Sequence, residues 1–91
     1  MPMPQKHIEF IAEPMGDKPA TALPGIADVL GERLKEAGFE KASTILGQYL
    51  VLNKDADLFK EWMKEICNAS AKQANDCYNC LNDWWVQFLE N

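Results

Sequence analysis

Three cysteines and one histidine are the side chains of this sequence best suited to binding a transition metal or acting in nucleophilic catalysis. Cys77 and Cys80 have C-x-x-C spacing, and Cys67 and His7 would be the further ligands of a zinc site. A structural zinc site needs four ligands in tetrahedral reach, and C-x-x-C on one helix supplies two. We therefore interpret the thiols as small buried hydrophobes and His7 as an ordinary surface residue, and we expect no metal and no cofactor.

No catalytic arrangement accompanies these residues. His7 has no serine or cysteine close to it in the sequence that would suggest an activated nucleophile. Asp55, Asp57, Glu61 and Glu65 fit the solvated face of a helix. The sequence therefore indicates that the protein is not an enzyme.

A second candidate site is the stretch LPGIADVLGERLKEAGF, in which a Pro-Gly-Ile-Ala turn leads into an amphipathic helix. In a helix-hairpin-helix, such a turn exposes backbone N–H groups at a helix N-terminus, and these donors and the helix dipole bind phosphate. A plain Pro-Gly turn that starts a helix would have the same residues, so both interpretations stay open. Ala27 keeps its N–H donor if its φ is negative, but its methyl group could hold a phosphate away.

The bulk composition limits the partners. The 91 residues are 47% hydrophobic and carry a net charge of −5, with a pI near 4.7. This is the wrong sign for a protein that wraps polyanions, although it does not exclude a local basic patch. The odd cysteine count fits a reducing compartment, no apolar run is long enough to span a membrane, and the start MPMPQKHIEF lacks a signal-peptide pattern. We expect an intracellular protein.

Helical periodicity predicts the elements that position these candidates, and no strand is expected. The predicted helical segments are Gln5–Ala12, a turn at Ala20–Leu23, Ala27–Ala37, Lys41–Leu52, a stripe of Leu58, Phe59, Trp62, Met63 and Ile66, and a last helix from Ser70 through Phe88. Ile8 and Ile11 are expected to point inward. Gly38 is the predicted C-terminal cap of the third segment, Asp55 is a predicted N-cap, and Ser70 and Gln73 have capping-box spacing. The chain is thus predicted to be all-α.

Several longer stretches carry a family resemblance: QKHIEFIAEPMGDKP, LPGIADVLGERLKEAGFEKA, ILGQYLVLNKDADLFKEWMKEIC and AKQANDCYNCLNDWW. In this order and without gaps from Gln5 to Leu89, they resemble the barrier-to-autointegration factor family. The resemblance implies one domain over residues 1–91, a compact SAM-like fold of five to six helices with an embedded helix-hairpin-helix, and a dimer. It also implies non-sequence-specific binding and bridging of double-stranded DNA, and docking of LEM-domain proteins of the nuclear envelope. Lamins and chromatin are further implied partners, and the implied location is the nucleus, with some protein in the cytoplasm.

The resemblance also implies which residues act. The DNA contacts map to three helix starts, with Arg33 on the hairpin's second helix as a further candidate: Gln5, Lys6, Gly25, Ala27, Val29, Leu30, Arg33, Ala71, Lys72 and Asn75. The dimer and partner interface maps to the middle helices: Leu46, Gly47, Val51, Leu58 and Trp62.

Certain positions depart from the family pattern, and they leave a second function open. The family is usually basic at five positions that are not basic here, namely Ile8, Glu32, Asn53, Asn75 and Asn82, and Ala27 replaces the second hairpin glycine. The alternative to a DNA-bridging adaptor is therefore a diverged paralogue with weakened DNA binding. Such a protein would dimerise, with itself or with a conventional family member, and would act through protein partners.

Overall fold

Five α-helices make up most of the computed structural model of the chain, which describes residues 4–90. The helices are α1 (Gln5–Ile11), α2 (Asp28–Glu36), α3 (Ala42–Val51), α4 (Ala56–Cys67) and α5 (Ala71–Trp85). A 3-10 turn, Ala20–Ala22, precedes the hairpin, and α5 continues as a π-helical segment, Val86–Glu90. Within residues 4–90 the sole β-type pairing is an isolated bridge between Pro19 and Lys41. The all-α prediction is confirmed.

The helix ends follow from local sequence. The Asp55 carboxylate accepts a hydrogen bond from the Leu58 amide at 2.9 Å and caps α4. Ser70 and Gln73 form a reciprocal capping box at the start of α5. Gly38, two residues after α2, has a φ of +96°, which a glycine adopts without steric strain. All three predicted caps are confirmed.

One apolar core joins all five helices. Each contributes at least one side chain that is almost fully buried, among them Phe10, Leu34, Ile45, Phe59 and Leu81. The helix α5 packs against α1, α3 and α4, while α2 packs against α4 and the 3-10 turn. No helix among the described residues is both long and apolar enough to cross a lipid bilayer.

The prediction for α1 is wrong at Ile8 and His7, whereas Ile11 packs against the core as expected. Ile8, expected inside, is 47% exposed, whereas His7, expected at the surface, is 6% exposed and lies on the buried face with Phe10. His7 and Phe10 are three residues apart and so share one helix face, while Ile8 is rotated about 100° from His7. The buried imidazole is tolerated because its Nε2 lies 2.8 Å from Asp83 Oδ2.

Candidate nucleic-acid interface

The turn before α2 depends on Gly25. Its φ is +83°, and a Cβ added there would lie 2.3 Å from the Gln73 carbonyl oxygen in the first turn of α5. Ile26 is fully buried and donates its N–H to the Leu23 carbonyl at 3.2 Å, so it anchors the turn as predicted. Gly25 thus provides both a left-handed backbone and a close approach to α5.

The N-terminus of α2 presents a row of free backbone donors. Ala27 is the N-cap, with φ −99° and ψ −167°, and no side chain caps it. The first bond of the helix runs from the Gly31 N–H to the Ala27 carbonyl at 2.8 Å. Within residues 4–90, the N–H groups of residues 27–30 have no acceptor. Ala27 therefore has the negative φ that a free N–H donor at this position requires. The helix dipole adds positive potential at the four donors.

The starts of α1 and α5 lie beside this hairpin. Lys6 Nζ on α1 donates to the Ile26 carbonyl at 3.0 Å. On the other side, Gly25 packs against the backbone of Gln73, which follows the exposed residues Ala71 and Lys72. The structure therefore brings together the three helix starts that the resemblance identified, and their role in DNA binding remains a prediction.

The side chains of this face differ in what they can offer a ligand. Lys72 is 84% exposed, and its Nζ lies 3.0 Å from Asp76 Oδ2 one turn along α5. Gln5 donates to the Glu9 carboxylate at 2.9 Å. Val29 is 63% exposed, whereas Leu30 is buried, so Leu30 can contribute only its amide.

Arg33 has an internal partner that the sequence did not reveal. One guanidinium N–H donates to the carbonyl of Cys67, the last residue of α4, at 3.1 Å. A cation at the C-terminus of a helix is stabilised by the helix dipole. Arg33 therefore links α2 to α4, and only its remaining donors are available to a ligand.

Two exposed carboxylates on α2 oppose anion binding. Asp28 is the first residue of α2 and lies among the free amides, a position that favours the helix but repels a phosphate. Glu32 follows one turn later and is also exposed. Sequence reasoning identified Glu32 but missed Asp28, although its place directly after the N-cap was the available signal.

The predicted protein interface is an apolar surface on α3 and α4. Val51 is 71% exposed and Leu58 is 49% exposed, while Leu46 and Trp62 are half-buried against the core. A Cβ added to Gly47 would have no neighbour within 4 Å. Phe39 packs edge-on against Trp62 with 5.0 Å between the ring centroids, whereas Val51 and Leu58 stay exposed, and the role of this surface in dimerisation remains a prediction.

The thiols are part of the core, as predicted. Cys77 and Cys80 are fully buried and Cys67 is nearly so. Burial raises the pKa of Cys77 well above its usual range and that of Cys80 to about 12, so both are protonated and weakly nucleophilic at neutral pH. Among residues 4–90, no three His, Cys, Asp or Glu side chains are grouped to hold a metal ion.

Comparison with known proteins places this arrangement in a family. The family model described as Barrier to autointegration factor matches residues 1–88. The chain is 67% identical to the Barrier-to-autointegration factor of Drosophila melanogaster, over 93% of this chain and 94% of the relative. It is 59% identical to the mouse protein of that name and 58% identical to the human one, each over 93% of this chain and 96% of the relative. The chain therefore belongs to the barrier-to-autointegration factor family.

Proposed function

We propose that the protein is a non-catalytic chromatin adaptor that binds double-stranded DNA without sequence preference. The carrying observation is the meeting of three helix starts around the hairpin, where four free amides at residues 27–30 lie at the start of α2, Lys6 reaches the turn from α1 and Lys72 lies in the first turn of α5. Family membership supports the same function. Residues 1–91 would act as a single domain.

Phosphate binding on this face would rely mainly on backbone groups. The amides of α2 and the helix dipole form an anion site without side-chain charge, and the two lysines add charge-assisted hydrogen bonds. Contacts to phosphate position a duplex but carry no sequence information. The proposed contact residues are Gln5, Lys6, Gly25, Ala27, Val29, Leu30, Arg33, Ala71, Lys72 and Asn75.

Bridging of two duplexes would follow from dimerisation. We propose that the apolar surface of Leu46, Gly47, Val51, Leu58 and Trp62 forms the dimer interface and a docking site for LEM-domain proteins. The exposure of Val51 and Leu58 supports this, because a two-fold interface needs a self-complementary apolar patch. Each dimer would then carry two DNA faces. Lamins and chromatin are further proposed partners, and the nucleus, including its envelope, is the proposed location, with some protein in the cytoplasm.

The test is a titration of two duplexes of unrelated sequence at about 50 mM salt, where phosphate contacts are strongest. We expect both duplexes to bind with equal affinity at micromolar protein, and a tagged duplex to retain an untagged one through the protein. Absence of binding to either duplex would contradict the proposal. The same preparation is tested for self-association and for binding a LEM-domain peptide. Dimerisation and peptide binding without DNA binding would favour the diverged-paralogue alternative.

A further inference from the structure

We infer that His7 and Asp83 act as positioning residues for the DNA face, holding α1 so that Lys6 stays at the hairpin. This inference rests on the proposed function. The two side chains join the middle of α1 to the far half of α5, with 2.8 Å between His7 Nε2 and Asp83 Oδ2. Neither residue belongs to the proposed DNA contacts.

The helix α1 depends on tertiary contacts for its placement. It has seven residues, no side chain caps its N-terminus, and its first turn has no acidic residue. A helix of two turns is not stable by itself in water. What fixes it is the burial of Phe10, the His7–Asp83 contact and, just beyond the helix, a hydrogen bond of 3.2 Å from Trp84 Nε1 to the Glu13 carbonyl.

His7 is a buried polar side chain on α1, only 6% exposed. A buried ring nitrogen without a partner costs free energy, so the Asp83 carboxylate selects one rotation of α1 about its axis. Lys6 adjoins His7 and is turned about 100° from it. Fixing His7 therefore fixes the direction in which Lys6 points, and its Nζ reaches the Ile26 carbonyl at 3.0 Å.

Asp83 lies far along α5 from the proposed contacts at the start of that helix. It follows Ala71 by twelve residues in the helix, which corresponds to about 18 Å. Removing a negative charge from the protein should strengthen DNA binding by simple electrostatics. Positioning requires the opposite result, because loss of Asp83 releases α1, and the sign of the effect separates the two explanations.

The experiment compares Asp83→Ala with Asp83→Asn in the full chain, since the asparagine oxygen can still accept a hydrogen bond from the His7 ring. Asp83 has 41% side-chain exposure, so neither change opens a cavity in the core. We expect Asp83→Ala to weaken duplex binding by about fivefold. The slope of log affinity against log salt should also become shallower by about 0.9, which is the change expected for the loss of one phosphate contact. Asp83→Asn removes the same charge but keeps the hydrogen-bond acceptor, so it should bind the duplex at least as tightly as the starting protein.

A double-mutant cycle with Lys6→Met tests whether Asp83 affects DNA binding through Lys6. If Asp83 acts through Lys6, Asp83→Ala should add no further loss once Lys6 is gone. Unchanged or tighter binding by Asp83→Ala, or a full additional loss in the Lys6→Met background, would overturn the inference. Urea unfolding verifies that each variant is folded under the assay conditions.

A measurement without DNA separates this inference from the proposed function. Amide hydrogen exchange in α1 should be faster in Asp83→Ala than in Asp83→Asn, because local opening controls exchange. If the starting protein binds no duplex, the proposed function fails, and faster exchange in α1 still supports the positioning pair. Equal exchange in the two variants counts against the pair, whether or not the protein binds DNA.

Discussion

Gly25 is under a severe steric constraint in the hairpin. In Gly25→Ala, the new methyl group would meet the Gln73 carbonyl oxygen at 2.3 Å while the backbone holds a φ of +83°. Backbone strain and overpacking each cost about 1–3 kcal/mol. We expect the free energy of unfolding in urea to fall by about 3 kcal/mol or more.

Gly16→Ala is the matched control for this change. Gly16 also has a positive φ, +51°, but a Cβ there would have no neighbour within 4 Å. The free energy of unfolding of Gly16→Ala should therefore fall only by the cost of backbone strain, about 1 kcal/mol. Equal losses in the two variants would show that the contact between the hairpin and α5 does not restrict residue 25.

Ala27 and Glu32 should limit DNA affinity without affecting the fold. Ala27 is exposed, extended and an uncapped N-cap, a position at which glycine is at least as good as alanine. The double change Ala27→Gly with Glu32→Lys removes a methyl group from the phosphate site and reverses a nearby charge. We expect duplex affinity to rise at least tenfold, or about 1.4 kcal/mol.

The control for this gain is Ala27→Gly with Glu36→Lys. Glu36 is exposed like Glu32 but ends α2, about 12 Å from the free amides. The two double variants have the same net charge, so a titration at fixed salt compares only the place of the new lysine. Equal affinities would mean that overall charge, rather than the site, sets binding.

Residue-scale prediction from sequence failed at His7 and Ile8 for a physical reason. A helix of seven residues contains too few apolar positions to define which face is buried, and a polar ring cannot be assigned inward without its partner. That partner, Asp83, lies 76 positions along the chain. By contrast, the negative φ required of Ala27 follows from a helix start and could be anticipated.

At the scale of elements, α2 and the 3-10 turn approach closely through Gly31, which sequence reasoning passed over. A Cβ at Gly31 would lie 2.5 Å from the Thr21 Cγ2 methyl and otherwise meets only ordinary contacts. Gly31→Ala alone should therefore destabilise the protein, by about 1–3 kcal/mol if the turn must shift. Thr21→Ser deletes the obstructing methyl and keeps the hydroxyl.

In the Thr21→Ser background, Gly31→Ala should become neutral or stabilising. Alanine is favoured over glycine inside a helix by about 1 kcal/mol, and this preference is no longer opposed by a clash. Urea unfolding of the four proteins in the cycle measures the coupling. If Gly31→Ala is equally harmful with and without the Thr21 methyl, the close approach is not the reason for glycine.

Features of the helices that depend on residues close together in the sequence could be predicted, whereas those that depend on residues far apart could not. The caps at Asp55 and at Ser70 with Gln73 involve residues three apart, so the sequence revealed them. The bond from Arg33 to the Cys67 carbonyl spans 34 positions, and no local pattern encodes it. The sequence therefore predicted that the three helix starts exist, while their meeting was inferred through family resemblance.

At the scale of the whole molecule, a buried thiol and a buried phenol should make the free energy of unfolding decrease at alkaline pH. Burial is the main reason that the pKa of Cys80 and of Tyr49 rises to about 12 in each case. The folded protein keeps these protons when the unfolded chain releases them, so stability is complete below about pH 9 and falls as pH rises toward 12. Each of these two groups contributes a slope of up to about 1.4 kcal/mol per pH unit between its pKa in the unfolded chain and its pKa in the folded protein. Urea unfolding at several pH values in reductant should show a shallower decline in Cys80→Ala.

The net charge of −5 requires that DNA binding be local. An acidic molecule repels a polyanion at long range, so affinity must come from a few contacts at short distance, where screening by salt is least complete. The DNA affinity should therefore depend only modestly on salt concentration. This dependence should be set by which lysines are present more than by the number of lysines. Lys6 and Lys72 belong to the proposed face, whereas Lys41 pairs with Asp17 and Lys54 lies over the Trp85 ring.

The two kinds of lysine can be compared in variants of equal charge. Lys6→Met with Lys72→Met and Lys41→Met with Lys54→Met each remove two positive charges, so the two double variants have equal net charge. Only the first pair should lose phosphate contacts, which flattens the plot of log affinity against log salt by about 1.8. The second pair should keep the slope of the starting protein. If both pairs lower the slope equally, the duplex is held by diffuse charge, and the hairpin face is not where it binds.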